Sequence, residues 1–152
     1  MISPFLQTLI MGMTPVVELR GAIPFGLALG LDPVTCYLAA AIGNCIPIPF
    51  IILFIEHVFL WMRKVSKKFG ALVDKLEKRA EEKSDVVQKY ALWGLVILVA
   101  IPLPGTGAWT GSLVAALMNI PLRKSGPACV LGVVIAGIIV MAISTGVIAI
   151  VT

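Results

Sequence analysis

Charge is what this chain has least of. Only 13% of its 152 residues are Asp, Glu, Lys or Arg, 59% are hydrophobic, and the mean hydropathy is +1.04. Soluble domains are about a quarter charged, so this scarcity excludes an ordinary water-soluble globule and reads as an integral membrane protein in a lipid bilayer. Histidine is nearly absent as well. The lone His57 has no second histidine or cysteine cluster to complete a zinc site and reads as an interfacial residue. The cysteines are odd in number: Cys36, Cys45 and Cys129 lie in apolar runs without metal-ligand spacing and read as small packed residues. No metal or other cofactor is expected. There is neither a nucleophile-base pair nor a phosphate-cradling loop followed by lysine, so no catalytic residue is assigned and no enzyme is expected. The amino terminus, MISPFLQTLIMGMTP, lacks the basic region and cleavage site of a secretory signal, and the mature chain is expected to be the whole chain.

The charges that are present are placed. Nine of the twelve Lys and Arg fall between Arg63 and Lys89, Arg123 and Lys124 are two more, and Arg20 is the last. The net charge of +4 is therefore read as a topology signal. It is not a nucleic-acid footprint, because acids (Asp74, Glu77, Glu81, Glu82, Asp85) alternate with the bases and no aromatics interleave for stacking.

Taken in order, residues 2–14 are apolar for about 13 residues, roughly 20 Å of helix, too short for a hydrocarbon core of about 30 Å. The run can enter a membrane without crossing it. PVVELRGAIP follows, in which Pro15, Gly21 and Pro24 are expected to break the helix around Glu18 and Arg20. Asp32 is expected to cap a helix beginning at Pro33, and residues 33–60 are long enough to span, with a kink near Gly43, Asn44, Pro47 and Pro49. Trp61 marks an interface, and residues 62–89 are expected to form a cytoplasmic amphipathic helix, with Val65, Phe69, Leu72, Val73, Leu76 and Ala80 at helical spacing.

Residues 90–152 repeat the order of parts found in 1–61. A short run entering the membrane stops at PLPGTGAWTG, whose turn residues are Pro102, Pro104, Gly105, Gly107 and Gly111. The chain returns to the surface by Ile120 and crosses over residues 127–150. At an offset of 88, Leu29 to Pro33 aligns with Leu117 to Pro121, and Asn44 with Gly132. The expected fold is all-α: an inverted repeat of a re-entrant helical hairpin (2–31 and 90–120) and a transmembrane helix, with the amphipathic helix between the halves. Placing residues 62–89 and 121–126 together in the cytoplasm gathers every Lys and Arg except Arg20 on one side, which leaves both termini outside. Two crossing helices are few to shield two irregular turns from lipid, so a homo-oligomer is expected, most simply a dimer.

The expected site lies where the turns approach each other. Two helix N-termini pointing into the membrane, with Arg20, suit an anion, and Thr106, Thr110 and Ser112 can add hydroxyls, with Asn44 nearby in the first crossing. Glu18 is a candidate proton carrier. Alternatively, Glu18 and Arg20 pair, with each other or across subunits, and only lock the turn.

ELRGAIPFGLALG, GNCIPIP and IPLPGTGAWTGSLVAALM make the chain similar, over nearly its whole length, to the small multi-drug export family of bacterial and archaeal membrane proteins. That family resembles the DedA (VTT-domain) superfamily, whose two opposed re-entrant hairpins serve candidate carriers or scramblases of lipid phosphates. The resemblance implies a cell-membrane location and equates Glu18 with the acid of the first DedA hairpin. Where DedA proteins carry arginines around the second turn, this chain has Thr106, Gly107 and Ala108. The function expected is transport of a small amphipathic or anionic substrate, lipid phosphate included, coupled to protons through Glu18. The alternatives are a cationic multidrug exporter and a non-transporting assembly or accessory protein that docks through residues 62–89.

Overall fold

The computed structural model describes residues 2–81, 85–103 and 105–151, and among these every regular element is helical. The first is α1 (Pro4–Met13), opened by Ser3, whose hydroxyl accepts the Leu6 N–H at 3.3 Å, and by Pro4 at its first position. Ten residues rise about 15 Å, half of a bilayer core. After a break at residues 14–17 the chain turns into α2 (Glu18–Ala28). The break is narrower than the sequence suggests, because Gly21 and Pro24 lie inside α2. Pro24, the seventh residue of α2, removes the donor that would meet the Arg20 carbonyl, and the helix runs on past that one lost bond to Ala28.

Asp32 caps α3 (Pro33–Cys45) as expected, accepting the Thr35 N–H at 2.9 Å; those amide contacts hold its carboxyl below the usual aspartate range. A single residue, Ile46, joins α3 to α4 (Pro47–Val65), and it keeps helical angles (φ −57°, ψ −45°). Pro47 and Pro49 therefore cost donors to the Gly43 and Cys45 carbonyls without unwinding the backbone. The helix also continues past Leu60 and Trp61 to Val65, since a change of solvent at an interface does not by itself break helical hydrogen bonding. Residues 62–89 are consequently not one helix: 62–65 end α4, Ser66 is extended, α5 (Lys67–Glu81) follows, and residues 85–89 open α6 (Asp85–Ala100). Glu82 to Ser84 lie outside the described residues. On α5, Leu72 is exposed.

A second break leads from Ile101 to α7 (Ala108–Leu117), and after another turn α8 (Leu122–Val151) runs 30 residues with Pro127 inside it. The helix thus begins one and a half turns before the expected crossing, since proline is tolerated near a helix start. Pro104 lies outside the described residues. Two stretches, Pro33–Val65 and Leu122–Ile150, are long and apolar enough to cross a membrane.

The ends of α2 and α7 are closed by the same device. Gly30 (φ 84°) and Asn119 (φ 57°) are left-handed, and in each case the next amide donates back five residues, Leu31 to the Gly26 carbonyl at 3.1 Å and Ile120 to Ala115 at 2.9 Å. The matching caps stand 89 residues apart (Gly30 to Asn119), one more than the offset of 88 read from the sequence. At that spacing Gly43 pairs with Gly132, and both are sites of close backbone approach. A β-carbon on Gly43 would strike the Leu9 carbonyl, and one on Gly132 would lie 2.6 Å from the Val99 β-carbon and 3.0 Å from the Val96 carbonyl. Small residues let helices meet where lipid supplies no hydrophobic drive between them.

Packing joins the halves. Leu19, Ile23, Cys36 and Ala40 of the first half close around Ala136 and Val140 of α8. Ile48 and Ile52 of α4 pack instead with Leu95, Val99 and Ala108 of the second half. Each short helix pair is thereby held by long helices from both ends of the chain.

Candidate functional site

The two breaks meet, and they meet through the charges of the first. Glu18 is 4% exposed, and its Oε1 accepts the backbone N–H of Trp109 at 3.2 Å, in the first turn of α7. Arg20 reaches the other side of the same break: Nη2 donates to the Ile101 carbonyl and to the Thr106 hydroxyl, each at 3.0 Å, and Nη1 donates to the Leu103 carbonyl. The carboxylate thus sits at a helix N-terminus and the guanidinium at the C-terminal end of α6, each at the dipole end that favours its sign. Charged hydrogen bonds of this kind contribute about 1.5–3 kcal/mol apiece. Glu18 and Arg20 do not pair with each other; the self-contained lock is replaced by a bridge between the halves.

Local backbone makes the bridge possible. Glu18 itself is left-handed (φ 50°), an uncommon state for a residue with a side chain, and its N–H donates to the Thr14 carbonyl at 3.0 Å. Opposite it, Gly107 has φ 146°, a region open to glycine, and a β-carbon there would collide with the Glu18 carboxylate. The indole N–H of Trp109 donates to the Met13 carbonyl at 3.2 Å, tying α7 to the end of α1 as well.

The hydroxyls expected to face a ligand are largely turned inward. Thr110 donates to the Gly105 carbonyl at 3.0 Å, and buried Ser112 donates to Ala108 at 2.6 Å. The Thr106 hydroxyl lies 2.8 Å from the Ile101 carbonyl and 2.9 Å from the Leu103 carbonyl while accepting from Arg20, so it serves the turn. Asn44 is fully buried, and neither its carbonyl oxygen nor its amide nitrogen has a partner. Glu18 Oε2 and Arg20 Nε are likewise buried without one. Of the turn residues, Pro15, Pro102, Gly105 and Gly107 lie in the breaks, and Gly111 is inside α7 against Val99.

Sequence reasoning left out Trp109 as a site residue, and it left out the carbonyls of Met13, Ile101 and Leu103. A tryptophan inside the PLPGTGAWTG turn was the available signal, since an indole N–H withdrawn from water must find an acceptor. Beside Trp109 opens a groove of about 970 Å³ between α4 and α7, lined by Phe50, Phe54, His57, Thr110 and Leu113. His57 Nδ1 is 2.9 Å from the Leu53 carbonyl. Among the described residues no group of three His, Cys, Asp or Glu could hold a metal.

Residues 18–139 match the model of a family described as "Putative small multi-drug export protein". The matched segment begins at Glu18, directly after the first break, and contains the second, and its description is that of an export protein and not of an enzyme. No curated protein and no solved structure matches the chain.

Proposed function

Because the chain belongs to the small multi-drug export protein family, we propose that it is an integral transporter of the DedA-like type, moving a small amphipathic or anionic substrate through the place where the two breaks meet. In this reading α1–α2 and α6–α7 are re-entrant hairpins entering from opposite faces of a cell membrane. The parts are then a single membrane domain of two inverted repeats, 1–61 and 90–152, linked by a cytoplasmic segment. Residues 62–89 and 121–126 are cytoplasmic and both termini outside, a placement that the distribution of positive charges supports.

The observation that carries the reading is the reciprocal bridge, Glu18 to the Trp109 amide and Arg20 to the Ile101 and Leu103 carbonyls. Ionisable groups within a bilayer are expensive, and here they hold together the two elements that an alternating-access cycle must separate. Glu18 is the proton carrier of that cycle. A homodimer accompanies it: Val16, at the tip of the first break, is 92% exposed in the single chain, and irregular backbone at membrane depth needs a protein cover.

Purified protein in proteoliposomes with a pH gradient tests the function. Flux of an alkyl phosphate or carboxylate that depends on the gradient in wild type and loses that dependence in Glu18→Gln is the expected result; intact, pH-dependent flux in that variant sinks the coupling role. One observation favours a second reading, export of amphipathic cations: Phe50, Phe54 and Trp109 offer aromatic faces in the groove. Resistance to cationic dyes that survives Arg20→Ala would select it.

A further inference from the structure

Acids and bases alternate along the sequence of α5, yet on the folded helix they separate. Positions 70, 74, 77 and 81 recur at three- and four-residue spacing and form one row: Gly70, Asp74, Glu77 and Glu81. Positions 68, 72, 75 and 79 form a second row, Lys68, Leu72, Lys75 and Arg79, about 160° around the helix from the first. The apolar positions Phe69, Val73, Leu76 and Ala80 run between the rows on one side, and Lys67 and Lys78 fall on the side opposite them.

The contacts of α5 show which row is taken. Gly70 is buried, with room for a β-carbon only 3.6 Å from the Arg63 α-carbon, and Arg63 Nη2 pairs with Asp74 Oδ1 at 3.0 Å. The row begun by Gly70 and Asp74 therefore faces the end of α4, the helix on which α5 packs. On the other row Lys68, Leu72 and Lys75 are exposed.

The same contact gives a direction. In an unbroken helix, residues 63 and 70 would stand about 10 Å apart. Here extended Ser66 (φ −150°, ψ 131°) lets Gly70 reach Arg63, so α5 leaves the axis of α4 instead of prolonging it. It leaves beside Trp61, Arg63 and Lys64, residue types that anchor a crossing helix at head-group depth. An amphipathic helix turned aside at that depth lies along the bilayer surface.

Resting on the reading of α4 as a crossing helix with a cytoplasmic end, we infer that α5 docks on the anionic cytoplasmic leaflet of the bilayer that holds the protein. The apolar side of the helix is turned to the acyl boundary, and the row of Lys68 and Lys75 meets the acidic head groups. Charge decides the partner. From Arg63 to Glu81 the chain carries seven Lys and Arg against three acids, and those acids share the row turned to α4. A second copy would bring the same basic row and be repelled, whereas an anionic leaflet complements it.

The test is hydrogen exchange read by mass spectrometry on the full chain in nanodiscs, of phosphatidylcholine alone and of phosphatidylcholine with about a third of phosphatidylglycerol. Exchange across residues 67–81 should be roughly tenfold or more slower in the anionic discs, and added salt should remove the difference. Lys68→Gln with Lys75→Gln should abolish most of it. Lys67→Gln with Lys78→Gln removes the same charge from the side facing water and should keep most of it. Equal exchange in the two lipids overturns the docking: fast in both means a solvated connector, and slow in both means a protein partner. Equal losses in the two double variants overturn the assigned face. Wild type in the two lipids decides the docking even where a variant does not fold. Residues 47–62 report on the crossing itself and should be protected in both lipids. Fast exchange there overturns the crossing on which both readings rest, while protection there with lipid-independent exchange in α5 strikes the docking alone.

Discussion

The Glu18 carboxylate occupies the space that a β-carbon on Gly107 would fill. One residue supplies an anion and the other, in the opposite half of the chain, supplies a gap shaped to receive it. The contact also sets the first expectation. Gly107→Ala adds a clash to a backbone (φ 146°) that suits glycine, and should cost about 2–4 kcal/mol by denaturant titration in detergent. Gly105→Ala meets nothing within 4 Å and carries only the penalty of φ 83°, about 1–2 kcal/mol. Equal losses at the two positions would argue against the Glu18 contact.

Arg20→Lys should behave nearly as badly as Arg20→Ala. The guanidinium fork serves Ile101, Leu103 and Thr106 at once, whereas an ammonium cannot hold the same planar geometry. Leaving carbonyls of the second break unpaired should cost about 1–3 kcal/mol in either variant. A lysine variant as stable as wild type would show that charge, and not the fork, is what matters.

Asn44→Leu separates stability from function. Both amide atoms of Asn44 are buried without partners, so an apolar residue of similar size should leave stability unchanged or raise it by about 1–2 kcal/mol. If Asn44 serves the substrate path, flux falls in the same variant. Lower thermal stability with unaltered flux would reverse this assignment.

Glycine substitutions should sort by backbone approach. An alanine at Gly43 meets the Leu9 carbonyl and one at Gly12 would lie 2.7 Å from the Ala40 carbonyl, so both should loosen the α1–α3 crossing; Gly146→Ala meets nothing and should be tolerated. Melting temperatures of the three in one detergent are the measurement.

The Asp32 cap predicts a direction in pH. Its folded carboxyl titrates lower than in the unfolded chain because it accepts the Thr35 N–H, so its contribution is complete above the unfolded value and is lost as pH falls through the folded one. Asp32→Asn should therefore be less stable than wild type at neutral pH, with the gap closing in acid. A gap that persists in acid would deny the carboxylate this role.

Much of the architecture was legible because it depends on local rules. Asp32 before Pro33 announced a helix start, and the apolar runs at residues 33–60, with Glu56 their one charge, and 127–150 announced long apolar helices, which run over Pro33–Val65 and Leu122–Val151. Helix ends were read less well where they were taken from polarity. Trp61 and Arg63 mark a change of solvent, yet the backbone stays helical to Val65. Pro24 and Gly21 looked like breakers, yet both lie inside α2, which loses one hydrogen bond at Pro24 and continues to Ala28. The offset between halves slipped by one because side-chain identities across it are few, whereas the shared left-handed caps at Gly30 and Asn119 are a backbone feature.

The sequence by itself determined that Glu18 and Arg20 are isolated charges in an apolar chain, and that two proline-glycine breaks interrupt its short helices. Periodicity and composition act along the chain and leave their marks in it. Which partners the charges take was decided only by tertiary structure, because donors and acceptors on the backbone carry no sequence signature. The Trp109 amide and the Ile101 and Leu103 carbonyls, more than 80 residues from Glu18 and Arg20, become their partners only when the folded helices bring the two breaks into contact.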